Sequence, residues 1–233
     1  MELFEGIKAL TFDCYGTLID WETGILQALQ PVLKRHHVEI PDENLLEEYS
    51  RLESAEERGE YKDYKSVLRG VVAGLGMKYR FVPARADHDV LVNSLGTWPP
   101  FPDTVESLGE LKKRYKLAII SNTDDDLFAA TRKTLGVTFD WIITAEQVKS
   151  YKPSTNNFTM AVKRIGLPPK AILHVAQSLF HDIPPAMSVG MRTVWIDRRY
   201  KEKGSGATPS TSAVPDLVVP SLRALTRLLT SAK

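Results

Sequence analysis

The chain has 233 residues with nearly balanced charge, 30 Lys and Arg against 29 Asp and Glu for a net of +1, so no overall field draws it to nucleic acid or an anionic membrane. Hydrophobic residues at 43% and charged residues at 25% exclude a disordered or collagen-like chain, and the single cysteine, Cys14, excludes an internal disulfide or a cysteine zinc cluster. The length fits one large domain or a core with a modest insertion. Neither the pattern of a secretory leader nor a run of membrane-spanning length is present, which sets the expectation of a soluble, cytoplasmic protein.

In chain order, Ile7–Phe12 is an apolar run closed by Asp13 and Gly16, the pattern of a short buried strand entering a turn. From 21 to 98 the spacing becomes helical, with Ile25, Leu26, Leu29, Val32 and Leu33, then Leu45, Leu46, Tyr49 and Leu52, then Val67, Leu68, Val71 and Val72. The run Trp98-Pro99-Pro100-Phe101-Pro102 ends this region, because proline disfavours helix in the residue before it. Strands are then predicted at Leu117–Ile120, Trp141–Thr144, Ile172–Ala176 and Arg192–Ile196, alternating with helices at Thr104–Arg114, Asp126–Leu135, Asn156–Ile165 and Ile183–Val189. Such alternation predicts an α/β fold, a doubly wound parallel-sheet core of residues 1–20 and 99–233 carrying an inserted helical domain of residues 21–98. Lys203–Ser212, rich in Gly, Ser, Thr and Pro, reads as a mobile surface loop.

Ligands of doubly wound sheets bind beyond the carboxyl ends of the strands. There stand Asp13, Ser121, Asn122, Gln177 and Ser178, with Lys152 and Asp182 in the loops close behind. A carboxylate on a tight turn at a strand end can attack an electrophilic carbon or phosphorus and form an ester that water later cleaves. Taken alone, each of these residues has a plainer reading: Asp13 as a turn former, Lys152 as a solvated charge, Asp182 as the N-cap of the following helix.

Their order reverses that reading. The segment Phe12-Asp13-Cys14-Tyr15-Gly16-Thr17 resembles the first motif of the haloacid dehalogenase superfamily, and within it the L-2-haloacid dehalogenase branch. Ser121-Asn122, Lys152-Pro153 and Asp182 follow in the order and at the spacing of the remaining motifs, so the resemblance spans a Rossmann-like core almost end to end. The insertion matches that superfamily's cap domain in position and type more than in residues. The resemblance implies Asp13 as nucleophile, Lys152 as the cation beside it, and Asp182 as the group that orients or deprotonates the hydrolytic water. It further implies Tyr15, Thr17, Ser121, Asn122, Gln177 and Ser178 as substrate contacts, with Arg51 in roughly the helix where the branch places its halide-receiving arginine.

Two positions bear on the chemistry. Superfamily phosphatases usually carry a second Asp two residues after the nucleophile as general acid, and this chain has Tyr15, a phenol with an ordinary pKa near about 10. They also carry an Asp that holds Mg²⁺ where this chain has Gln177, a weaker ligand for a hard ion. The expectation is therefore a hydrolase without metal or other cofactor, turning a small carboxylic acid such as an (S)-2-haloacid into the 2-hydroxy acid and halide. Leu179 and His181 depart from the branch's Asn and Trp, and Phe158 from its Tyr. A phosphatase, a hydrolase of another carbon–heteroatom bond and a non-catalytic binding protein stay open as alternatives. Cys14 is expected to face the core as an inert thiol, His181 to be a pocket residue at most, and Trp21 to line the cavity or pack a hinge. The resemblance also raises a homodimer paired through apolar cap residues; neither nucleic acid nor membrane is an expected partner.

Overall fold

The computed structural model describes residues 4–199, 207 and 211–231. Strand β1 (Ala9–Phe12) leads into four helices, α1 (Trp21–Arg35), α2 (Asp42–Glu56), α3 (Tyr64–Tyr79) and α4 (Val90–Ser94). Then follow α5 (Thr104–Lys112), β2 (Lys116–Ser121), α6 (Asp125–Thr131), β3 (Trp141–Thr144), α7 (Ala145–Val148), α8 (Thr155–Ile165) and β4 (Ile172–Ala176). The chain closes with α9 (Ile183–Ser188), β5 (Arg192–Ile196), β6 (Leu217–Val219) and α10 (Leu222–Ser231).

All strand pairs are parallel, in the order β3-β2-β1-β4-β5-β6. A sheet covered on both faces needs apolar residues on both, and β1 and β4 are buried at every position. Alternation along the strands divides the core: Leu10, Phe12, Ile119, Leu173 and Val175 join one cluster, while Ala9, Ala118, Ile120 and Ile172 join another. Cys14 belongs to the first, wholly buried as expected.

Helices α1–α4 fall where the spacing predicts helix, and their apolar faces run into the same cluster as Leu10 and Phe12. The outgoing and returning segments lie side by side, with Asp20 N donating to Pro99 O at 2.8 Å and Phe101 N to Leu18 O at 3.0 Å. The insertion is further docked through the start of α3. Asp63 caps Ser66 N at 2.7 Å, while Asp124 of the core accepts the next free donors, Tyr64 N at 2.9 Å and Lys65 N at 3.1 Å. These bonds seat α2 and α3 over the carboxyl ends of β1, β2 and β4.

Sequence periodicity runs a residue or two long at several helix ends, and it misses β6 and α10 altogether. Strand β6 has three residues at the sheet edge, too short to show alternation. The loop expected over Lys203–Ser212 lies largely outside the described residues. Among those residues no helix is long and apolar enough to cross a membrane.

Candidate active site

β1 and β4 pair in a register that sets Thr11 opposite His174, and both side chains are fully buried. From that pair a chain of polar contacts runs to the strand ends. Thr11 Oγ1 lies 2.9 Å from His174 Nδ1, His174 Nε2 lies 2.9 Å from Asp182 Oδ1, and Lys152 Nζ donates to Asp182 Oδ1 and to Asp13 Oδ1 at 2.7 Å each. Lys152 Nζ also donates to Ile120 O at 3.1 Å, and Thr17 Oγ1 donates to Asp13 Oδ2 at 2.6 Å. Thr17 in turn accepts Gln177 N at 2.8 Å, which joins the turn after β1 to the turn after β4. The sharp bend between Asp13 and Thr17 depends on Gly16 at φ +91°. A Cβ there would stand 3.0 Å from Trp21 Nε1 and 3.1 Å from Gln177 Oε1.

Asp13, Lys152 and Asp182 are each less than a tenth exposed. Burial pushes Asp13 above the ordinary carboxylate range, opposed chiefly by the charge of Lys152. Burial would lift Asp182 too, but Lys152 and the His174 contact outweigh it and hold that carboxyl below its usual value. The two acids in turn raise Lys152 despite its burial. One ammonium thus bridges two carboxylates, and its charge favours the ionised form of both. Asp182 stands at the N-terminus of α9 but makes no side-chain capping bond; the helix-cap reading gives way because its side chain is engaged by Lys152 and His174.

Asn122 positions the lysine rather than facing the cavity alone. Its Oδ1 accepts Lys152 N at 2.7 Å and its Nδ2 donates to Lys152 O at 3.1 Å, fixing both backbone groups of that residue. Ser121 is buried, and neither its Oγ nor Asp182 Oδ2 has a hydrogen-bond partner among the described residues. Tyr15 turns its hydroxyl away, to Thr131 Oγ1 at 2.9 Å, and sets its ring edge-on to Trp98. Burial raises that phenol further above its ordinary range. Ser178 Oγ accepts His181 N at 2.9 Å and lies 3.0 Å from His181 Nδ1. Burial holds His181 down to about 4, neutral at physiological pH and unlinked to Asp182 as a dyad.

These groups surround a cavity of about 40 Å³. Tyr15, Ser121, Asn122, Gln177 and Ser178 all line it, with Thr17 directly behind Asp13, and Trp21 is a lining residue. Arg51 is not there: it pairs with Glu48 on its own helix, is 61% exposed on its side chain, and borders an outer groove of about 580 Å³ that shares Glu57, Lys152 and His181 with the cavity. Arg51→Ala is expected to cost less than about 1 kcal/mol in thermal unfolding, since exposed pairs contribute little and Glu48 retains Lys78.

Periodicity and motif reading pass over four residues at this site. His174 hides inside an apolar strand; only its cross-strand partner Thr11 reveals a role. Glu53, Glu57 and Tyr64 face the cavity from the insertion. The available signal is the four-residue stripe Leu45, Tyr49, Glu53, Glu57, in which two acids continue an apolar face of α2. As for a hard divalent ion, the donor set fits poorly: the Lys152 ammonium already spans Asp13 and Asp182, and Gln177 offers a neutral amide.

Comparison with known proteins places the chain in a family. A family model for haloacid dehalogenase-like hydrolases matches residues 7–190. An (S)-2-haloacid dehalogenase of Pseudomonas sp. (strain YL) is 31% identical over 97% of this chain and 96% of its own length. A 5-amino-6-(5-phospho-D-ribitylamino)uracil phosphatase of Escherichia coli (strain K12) is 28% identical over 96% of each chain. In fold, the chain is similar to the L-2-haloacid dehalogenase of Xanthobacter autotrophicus with chloropropionic acid covalently bound, at a TM-score of 0.80 and 24% identity over 97% of this chain and 100% of that one.

Proposed function

The chain belongs to the haloacid dehalogenase-like hydrolase family, and we propose that it is an (S)-2-haloacid dehalogenase, forming a 2-hydroxy acid and halide through an ester on Asp13. The observation that carries this is the turn after β1: a buried carboxylate held by Lys152 and Thr17, followed two residues later by an aromatic ring where a phosphatase places its acid. Halide departs without needing a proton, so Tyr15 is no handicap. A small cavity at the strand ends favours small acids.

In the first step a carboxylate oxygen of Asp13 attacks the α-carbon in line, the carbon–halogen bond breaks with its electron pair on the halide, and configuration at carbon inverts. Lys152 offsets the repulsion between nucleophile and substrate carboxylate, on the order of 4 kcal/mol at about 4 Å with an effective dielectric of 20. The unpartnered Ser121 hydroxyl is a donor available to that carboxylate. In the second step water attacks the carbonyl carbon of the aspartyl ester. Asp182 Oδ2, the oxygen not engaged by Lys152 and His174, orients that water and accepts its proton. Residues 21–98 act as a cap domain that excludes bulk water during ester formation.

The test is a parallel assay of chloride release from (S)-2-chloropropionate and phosphate release from small phosphate esters, each with and without EDTA. Chloride release that withstands EDTA is expected. Phosphate release that rises with Mg²⁺, with no halide formed, would replace this reading by that of the E. coli phosphatase relative.

A further inference from the structure

An in-line displacement sends the leaving group away from Asp13, towards the helices of the insertion. What waits there is unlike a halide receptor of the usual positive sign. Among the described lining residues Lys152 is the only Lys or Arg, and it is held on the Asp13 side. From α2 and the residue just past its end come Glu53 and Glu57, and from α3 Tyr64. Arg51, on the same helix, is turned to Glu48 and solvent. If both glutamates were ionised, Asp13, Asp182, Glu53 and Glu57 would face one lysine, and neither an anionic substrate nor a departing anion would be tolerated.

The two carboxyl oxygens of Glu53 are held differently. The residue is 6% exposed, and its Oε1 accepts hydrogen bonds from Tyr49 at 2.9 Å and Tyr64 at 2.5 Å. Those donors occupy Oε1, so a proton on this carboxyl resides on Oε2, which has no hydrogen-bond partner among the described residues. Resting on the dehalogenase reading above, we propose that Glu53 is the leaving-group donor of this site: a neutral carboxylic acid whose Oε2–H hydrogen-bonds the departing halide, suiting the enzyme to 2-fluoro acids, whose poor leaving group accepts hydrogen bonds most strongly. As Asp13 forms the carbon–oxygen bond, the carbon–fluorine pair moves onto fluoride and is held by Oε2–H; water then opens the ester, and the net products are hydroxy acid, fluoride and one proton.

The surroundings favour the neutral acid. Burial raises Glu53 to about 7, the two tyrosines oppose the rise, and the charge of Asp13 adds to it. The other titratable groups facing it across the cavity are Glu57, itself raised by burial and by Glu53, together with Lys152, Asp182 and His181. An acid works only while protonated, so its contribution is present below about pH 7 and lost as pH rises through that value.

The experiment measures kcat for fluoride release from (S)-2-fluoropropionate and chloride release from (S)-2-chloropropionate between pH 5.5 and 9, for the full-length wild type, E53Q and Y64F. The wild type is expected to release both halides, with a falling limb at about pH 7 that is larger for fluoride than for chloride. E53Q is expected to lose about 100-fold in fluoride release at low pH, the scale of removing one transition-state donor, to lose the limb, and to change chloride release by less than tenfold. Y64F, which removes a bond that favours the ionised carboxyl, is expected to move the limb to higher pH. Equal losses on both substrates in E53Q, a limb of equal size for both, an unmoved limb in Y64F, or chloride release without fluoride release would each overturn the donor role and leave the dehalogenase reading standing. Release of neither halide by the wild type would overturn that reading and this one with it.

Discussion

Asp13→Asn is expected to abolish turnover, by about 10⁴-fold or more as for other covalent nucleophiles, while leaving the fold almost untouched. The contrast follows from charge. Asp13, Asp182 and Lys152 form a buried trio with one cation between two acids, and burial already strains Asp13 towards its neutral form. An amide of the same shape keeps an oxygen for Lys152 or Thr17 and leaves a matched Lys152–Asp182 pair. The melting temperature should therefore move by no more than about 3 °C, the equivalent of roughly 1 kcal/mol in a chain of this size. Mass spectrometry of acid-quenched wild-type enzyme should find the ester on the peptide that carries Asp13, and the same peptide unmodified in the variant. Substantial residual turnover in folded Asp13→Asn would sink the nucleophile assignment.

Lys152→Met should behave in the opposite way, losing both activity and stability. It leaves two carboxylates buried against each other with no cation, and breaking a buried pair from one side costs about 3–5 kcal/mol, or roughly 6–20 °C in melting temperature. The loss should depend on pH with a definite sign. Deprived of Lys152, Asp13 and Asp182 have folded-state pKa values raised above those of the unfolded chain, so they are tolerated when protonated and destabilise as pH rises through the raised values. The deficit relative to wild type should thus be greatest near neutrality and shrink towards pH 4. Thermal melts of Lys152→Met and of the Asp13→Asn/Lys152→Met double variant close the cycle: removing one of the two stranded acids should recover part of the lost stability. A deficit that is flat with pH would show that the lysine contributes through packing of its stem rather than through its charge.

Much of the core was legible without coordinates, and the reason is local. A parallel strand buried on both faces must be an unbroken apolar run, and the polar residue that ends it must lie at the ligand-binding edge. Asp13, Ser121 and Gln177 stand at such ends, whereas Lys152 and Asp182 were singled out by the motif order of the family resemblance. The insertion was readable as helical because its apolar residues recur every three or four positions. Arg51 was drawn into the site by helix membership alone; its rotation about α2, which sets it beside Glu48 and away from Asp13, is not a property of spacing along the chain.

Amino-acid order alone was enough to specify the alternation of strands and helices and the polar strand ends, since each depends on periodicity or on neighbours a few residues apart. Folding in three dimensions settled what depends on distant partners. Register between β1 and β4 turned His174 from a core residue into the support of Asp182. Packing of the insertion on the core brought Glu53 and Glu57 to the cavity that Asp13 lines. Burial then decided their charge, because desolvation acts on a carboxyl only after other segments have displaced its water.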